Sequence, residues 1–173
     1  VKEMLKAAGY AGEKTVLMVP TDYVTLKALG DVMADTMARV GINVDYVATD
    51  WGSVVTRRVN QNPLDQGGWG AFITVMSPLT SANPGSMLVL RGNGRKGWFG
   101  WPTDPKLEDM REAWFDAPTL EAQKAIADQI QSHYFETVNF LPLGRMQQPM
   151  AFRSDIVDVV SASFPVFWGM RRT

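Results

Sequence analysis

Apolar positions follow three periods along this chain, and each period predicts a different element. Residues 14–19 (Lys-Thr-Val-Leu-Met-Val) end in a continuous apolar run that Pro20 stops, which predicts a central strand covered on both faces. Leu26, Leu29, Met33, Met37 and Val40 then recur at helical spacing. They predict a core-facing helix, capped by Thr21 or Asp22 and ended by Gly41. Residues 42–48 alternate, with Ile42, Val44 and Tyr46 on one face and Asn43 and Asp45 on the other, so a half-exposed strand follows. Asp50 caps a helix over about 51–60, with Trp51 in its first turn and Val55 and Val59 inward; 71–76 reads as a third strand. A short helix over 2–8, closed by Gly9, precedes this block. Strands linked through helices by short connections must be parallel with right-handed crossovers. The expected class is α/β: a mostly parallel central sheet with helices on both faces.

The pattern changes at Ser77. Residues 77–103 are rich in Gly, Pro, Asn, Ser and Trp with no sustained period, and a loop of that length in a compact domain is usually functional or packed down. Asp104-Pro105 starts a helix with Leu107, Met110 and Trp114 inward. After the break at Ala117-Pro118-Thr119, a second helix runs to about 137 on Ile126, Ile130 and Tyr134. Residues 140–152 read as extended chain and 156–160 as a short apolar element. The tail Phe164-Pro-Val-Phe-Trp168 is too apolar to be left uncovered.

Composition narrows the chemistry. Apolar residues make up 46% and charged residues 20%, with 17 Lys+Arg against 18 Asp+Glu, as in an ordinary globular domain. A net charge of −1 gives no case for a nucleic-acid partner, and no apolar run is long enough for a spanning helix, so no direct membrane insertion is expected. Cysteine is absent and His133 is the single histidine. That excludes a disulfide scaffold, a thiolate nucleophile and a multi-histidine metal site, so neither a metal nor a cofactor is expected.

Three clusters bear on function. Gly92-Asn-Gly94-Arg-Lys-Gly97 matches G-x-G-x-x-G, but Trp98-Phe-Gly-Trp101-Pro102 follows it and cannot open the helix that a dinucleotide site requires. The carboxylates over 104–137, Asp104 and Glu108 among them, read as a solvated face, and His133 as an ordinary helix-face histidine. Between 50 and 101, Arg57, Arg58, Arg91, Arg95 and Lys96 face only Asp50 and Asp65, and Trp51, Trp69, Trp98 and Trp101 lie among them. Aromatic and basic residues on loops at strand C-termini suit a recognition cleft, although tryptophans also serve as core.

The ordered set of segments resembles the extracellular solute-binding proteins of peptide/nickel-type ABC importers. Leu5-Lys-Ala-Ala-Gly-Tyr10 is similar to the family's Leu-x-x-Ala-Gly-Tyr segment. The alternating strand 42–48, Asp50-Trp51, strand 71–76 with its loop, the helix pair 104–137 and Asn139-Phe-Leu-Pro142-Leu follow in the family's order. The resemblance covers all 173 residues and implies a single domain, the C-terminal lobe of a two-lobed periplasmic-binding-protein fold. An opening at Val1 in helical sequence fits an excised piece whose N-terminal lobe and signal peptide lie elsewhere. The implied function is capture of a peptide-like or other polar solute between two lobes and delivery to an ABC permease, in the periplasm or outside the cell.

Trp51 matches the family's cleft tryptophan and Arg58 a position where peptide binders place a cleft arginine. The family's Trp-x-x-Asp-x-x-Asp-Pro loop aligns with Ser77, Thr80, Asn83 and Pro84, so the resemblance implies ligand contacts at Trp51, Arg58, Ser77, Leu79, Thr80 and Asn83. The first Asp of that motif holds a peptide's α-amino group; Thr80 in its place removes the charge-assisted bond and points away from a solute gripped by a free amine. The rival readings are an α/β hydrolase or transferase and a stand-alone interaction domain. The former lacks Gly-x-Ser-x-Gly, and Ser53 and Ser77 have no evident base, so no enzyme is expected.

Overall fold

The apolar run becomes the most buried segment of the chain: Leu17, Met18 and Val19 are fully enclosed in strand β1, Lys14–Pro20. The computed structural model describes residues 1–147, 149–162 and 164–173. It divides them into two compact units, Val1–Val75 and Met76–Thr173.

In the first unit β1 pairs in parallel with β2 (Asn43–Thr49) on one side and β3 (Ala71–Phe72) on the other, giving the order β2-β1-β3. Alternate residues of β1 serve opposite faces. Leu17 and Val19 pack with Leu26 and Met37 of helix α2 (Val24–Val40) and with Ile42, Val44 and Tyr46. Val16 and Met18 pack with Val54 of helix α3 (Trp51–Arg57) and with Trp69 and Phe72. The two helices therefore cover the two faces of a parallel sheet, as the α/β pattern requires. Gly41, at φ 100°, ends α2, and the short helix α1 (Lys2–Ala7) precedes β1. Gly30 is buried where α2 crosses β1, and a Cβ there would overlap the Val19 methyls.

Three local readings are corrected here. Neither Thr21 nor Asp22 caps α2, whose N-cap is Tyr23 with no side-chain bond. Thr21 donates instead to the Thr49 carbonyl at 3.1 Å, and Asp22 accepts from the Trp51 N–H at 2.9 Å, so both tie the end of β1 to the β2–α3 junction. Helix α3 stops at Arg57, and its inward residue is Val54, one turn after Trp51; Val59 lies beyond the helix and is 58% exposed. Strand β3 keeps only Ala71–Phe72, flanked by bonds from the Gly70 N–H to the Val16 carbonyl and from the Ile73 N–H to the Met18 carbonyl, because pairing with β1 ends there.

The second unit is organised by helices α4 (Pro105–Asp116) and α5 (Leu120–Thr137). Asp104 and Thr119 cap them by accepting from the Leu107 and Ala122 N–H groups, and Pro105 occupies the first turn of α4. Leu107, Ile130, Tyr134 and Leu90 form the core, with Met110, Trp114 and Ile126 against it as the helical stripes predict. The 77–103 segment contains two 3-10 turns, Leu88–Leu90, which buries Val89 and Leu90, and Gly94–Lys96. The described residues of 140–152 form no strand. Strands β4 (Ile156–Val157) and β5 (Arg171–Arg172) make a small antiparallel pair. In the tail Trp168 is 85% exposed, and Phe164 and Phe167 are also exposed.

Candidate functional site

At the C-terminal edge of the first unit's sheet, the chain leaves β1 toward α2 and leaves β2 toward α3 on the opposite face, the arrangement that opens a crevice in α/β folds. Asp50 caps α3, accepting from the Ser53 N–H at 2.9 Å and the Ser53 hydroxyl at 2.6 Å. Those two bonds, the hydroxyl's first, hold its carboxyl below the usual range. With Asp22 on its backbone N–H, Trp51 is fixed at the first turn of α3. Its ring meets Tyr23 edge-on, centroids 6.2 Å apart. The Arg58 guanidinium carbon lies 5.6 Å from the Trp51 ring centroid and 6.0 Å from that of Phe72, a cation–π arrangement. Burial pulls the Arg58 guanidinium below its ordinary value, and an arginine in a protein keeps its charge. Trp69 stands T-shaped to Phe72 at 5.1 Å and donates its indole N–H to the Arg58 carbonyl, so this tryptophan braces the cluster from the core side.

Trp51 and Arg58 are thus brought together in the first unit, and Ser77, Leu79, Thr80 and Asn83 fall in the second. There the Ser77 and Thr80 hydroxyls lie 3.2 Å apart, and the Thr80 hydroxyl also reaches the Ser77 carbonyl at 3.0 Å. Asn83 accepts from the Ser86 N–H at 3.0 Å, and Leu79 is exposed.

Behind this loop the polar residues of α4 depart from the solvated face read in the sequence. The Asp104 carboxylate pairs with His133 Nε2 at 2.8 Å, and both side chains are almost enclosed. Glu108 accepts from Arg91 Nε at 3.0 Å and from the Gly92 N–H at 2.6 Å. Burial pushes the Glu108 carboxyl up, but Arg91 and the Gly92 N–H outweigh it and leave it below its usual value. Arg111 is 5% exposed and donates to the Pro84 carbonyl. Burial first, then the Arg91 charge, pulls its guanidinium down, and Glu108 opposes both.

The basic cluster also thins. Arg57 donates to the Gly67 and Gly68 carbonyls, both at 2.8 Å, and Arg91 belongs to Glu108, so these two cations brace loops. Glycines 92–97 make a 3-10 turn with Gly97 extended, and no helix starts there. Sequence reasoning missed Tyr23, Asp22, Arg111 and the Asp104–His133 pair. A usable signal existed for α4, because Asp104, Glu108 and Arg111 all flank the inward Leu107 on one helical face. Among the described residues no group of three or more His, Asp or Glu is placed to hold a metal ion, and no helix is long and apolar enough to cross a membrane.

No protein-family model matches the chain. It is 35% identical over 171 residues to a probable peptide ABC transporter periplasmic-binding protein of Sinorhizobium fredii, a match spanning 99% of this chain and 32% of that protein. Its fold matches the crystal structure of a dipeptide-binding protein from Pseudoalteromonas sp. SM9913 in complex with Met-Leu, with a TM-score of 0.72, 14% identity, and coverage of 99% of this chain and 35% of that one. The chain spans about a third of the length of each. Along almost its whole length the chain is therefore similar to one segment of that periplasmic-binding protein, and it shares the α/β fold of the corresponding part of the dipeptide-binding protein.

Proposed function

We propose that this chain is one lobe of a two-lobed solute-binding protein that captures a peptide-like or other polar solute in the periplasm and hands it to an ABC permease. The observation that carries the reading is 35% identity sustained over 99% of the chain, in sequence order. The function is binding rather than catalysis, with hinge closure around the solute as the transported signal. Trp51 and Arg58 are the proposed ligand contacts of the first unit, held by Asp22, Asp50 and Trp69. Ser77, Leu79, Thr80 and Asn83 are those of the second.

Trp51 offers stacking area, Arg58 a desolvated positive charge, and the 77–83 loop neutral hydroxyl and amide groups. A buried ammonium left without a carboxylate costs several kcal/mol, so the solute is one without a free α-amino anchor: an acylated peptide, an oligosaccharide or an anionic conjugate. Native mass spectrometry of the longer protein as purified tests this. A retained solute of that chemistry supports it. Absence of any bound solute, together with no heat of binding across peptides, blocked peptides and sugars, refutes it.

A further inference from the structure

The four tyrosines of this chain are Tyr10, Tyr23, Tyr46 and Tyr134, and all but Tyr23 have a structural role. The Tyr10 hydroxyl donates to the Glu13 carbonyl and accepts from the Asn43 N–H, both at 2.7 Å, and so pins the segment after α1 to β2. The Tyr46 hydroxyl donates to Asp31 at 2.7 Å and joins β2 to α2. Tyr134 is buried in the core of the second unit. Tyr23 is 52% exposed and belongs to none of the apolar clusters, and its hydroxyl makes no hydrogen bond among the described residues. Its place is fixed all the same. It ends the 21–23 link out of β1, where Thr21 donates its N–H to the Thr49 carbonyl at 2.8 Å and Asp22 accepts from the Trp51 N–H at 2.9 Å. Those two anchors hold the backbone that carries Tyr23 at the C-terminal end of the central strand, the edge at which open α/β sheets bind their ligands. There its ring meets that of Trp51 with the planes 70° apart. The two rings make an angled corner. A flat ring gains offset or edge-to-face contact with both of them, whereas a branched aliphatic group has no ring geometry to match.

We propose that Tyr23 is a specificity-determining ligand contact beside Trp51, and that the solute presents a flat ring to the pair: the aromatic side chain of a blocked peptide or a pyranose of an oligosaccharide. This rests on the solute-binding reading and deepens it, since among solutes without a free α-amino anchor it selects those that carry a ring. The Tyr23 hydroxyl separates the two sources. A pyranose brings hydroxyl groups that can bond to it, and an aromatic hydrocarbon side chain brings none.

The test is calorimetric titration of the longer protein with N-acetyl-phenylalaninamide, with maltotriose and with the ringless N-acetyl-leucinamide. The expected result is that one of the two ring-bearing probes binds at least tenfold more tightly than N-acetyl-leucinamide. Tyr23→Leu, which keeps apolar bulk and removes the ring, should erase that preference at an unchanged thermal unfolding midpoint. Tyr23→Phe should keep the preference if the ring is aromatic, and should weaken maltotriose tenfold or more if it is a pyranose. Equal affinity of the parent for all three probes, or a preference that survives Tyr23→Leu, overturns the inference. So does a lowered midpoint in Tyr23→Leu, which would make Tyr23 a structural residue. Refusal of both ring-bearing probes by a protein that binds another solute overturns the inference and leaves the receptor reading standing. A longer protein that binds no solute of any kind overturns the receptor reading itself, and this inference with it.

Discussion

Arg111 is the side chain on which a quantitative test of the second unit turns. It is nearly enclosed, donates to the Pro84 carbonyl, and sits near both Glu108 and Arg91. Truncation to alanine removes two stem methylenes, about 1.6 kcal/mol at ~0.8 each. It also removes a charge-assisted bond, about 1.5–3 kcal/mol. Release of a guanidinium that burial disfavours returns part of this. Glu108 keeps Arg91 and the Gly92 N–H, so no carboxylate is stranded. Arg111→Ala should therefore cost about 3–4 kcal/mol. Arg111→Met preserves the packed stem and loses only the bond, so it should cost about 1–2 kcal/mol. Urea unfolding of the chain, followed by far-ultraviolet circular dichroism with the slope checked for constancy, gives both numbers. A methionine variant as stable as the parent would show that desolvation cancels the Pro84 bond. Arg111 would then be a tolerated buried charge and not the clamp on the 84–92 segment.

Four further outcomes are expected. Gly30→Ala should destabilise by about 1–3 kcal/mol in thermal unfolding, because overpacking against Val19 outweighs the gain in helix propensity. Glu108 has a folded-state pKa below that of an ordinary glutamate, so its contribution is fully present above the unfolded value and is lost as pH falls through the folded one; Glu108→Gln should flatten stability against pH only on that acid side. Trp51→Ala in the longer protein should weaken solute binding by about 1–3 kcal/mol by calorimetry, and unchanged affinity would remove Trp51 from the site. Unmodified di- and tripeptides should bind that protein more weakly than their N-acetylated forms; the reverse order in the same titration would contradict the assignment of Thr80.

The strand–helix block was legible because its periods are unbroken over whole elements: β1, α2 and β2 come within a residue or two of where the pattern puts them. The phase of α3 was not, since Val54 and Val55 are adjacent and only the packing against Met18 chooses between them. The extent of β3 was illegible for another reason, because strand length is set by what the neighbouring strand still offers. Charge counting over a window failed for Arg91, whose partner Glu108 is 17 residues away, and for His133, whose partner Asp104 is 29 away. Each of these side chains looks solvent-facing taken singly, and burial of both follows only from long-range pairing. Trp51 and Arg58, seven positions apart, come into contact because about two full turns of helix at 3.6 residues each return them to one face.

The contact between Gly30 and Val19 has a consequence for alignment within the sheet. A strand with polar and apolar sides is held in place by polarity, since a one-residue slip would turn its apolar side to water. Past Thr15, β1 has no such safeguard, because both sides of its buried run from Val16 to Pro20 are apolar. What distinguishes the native alignment is shape: the notch at Gly30 accepts Val19, and a slip would present Met18 or Pro20 to it instead. Positions 19 and 30 are in this sense one lock. A larger residue at either is compatible with the fold only if the other shrinks, so Gly30→Ala should regain stability when combined with Val19→Ala even though each change alone loses it.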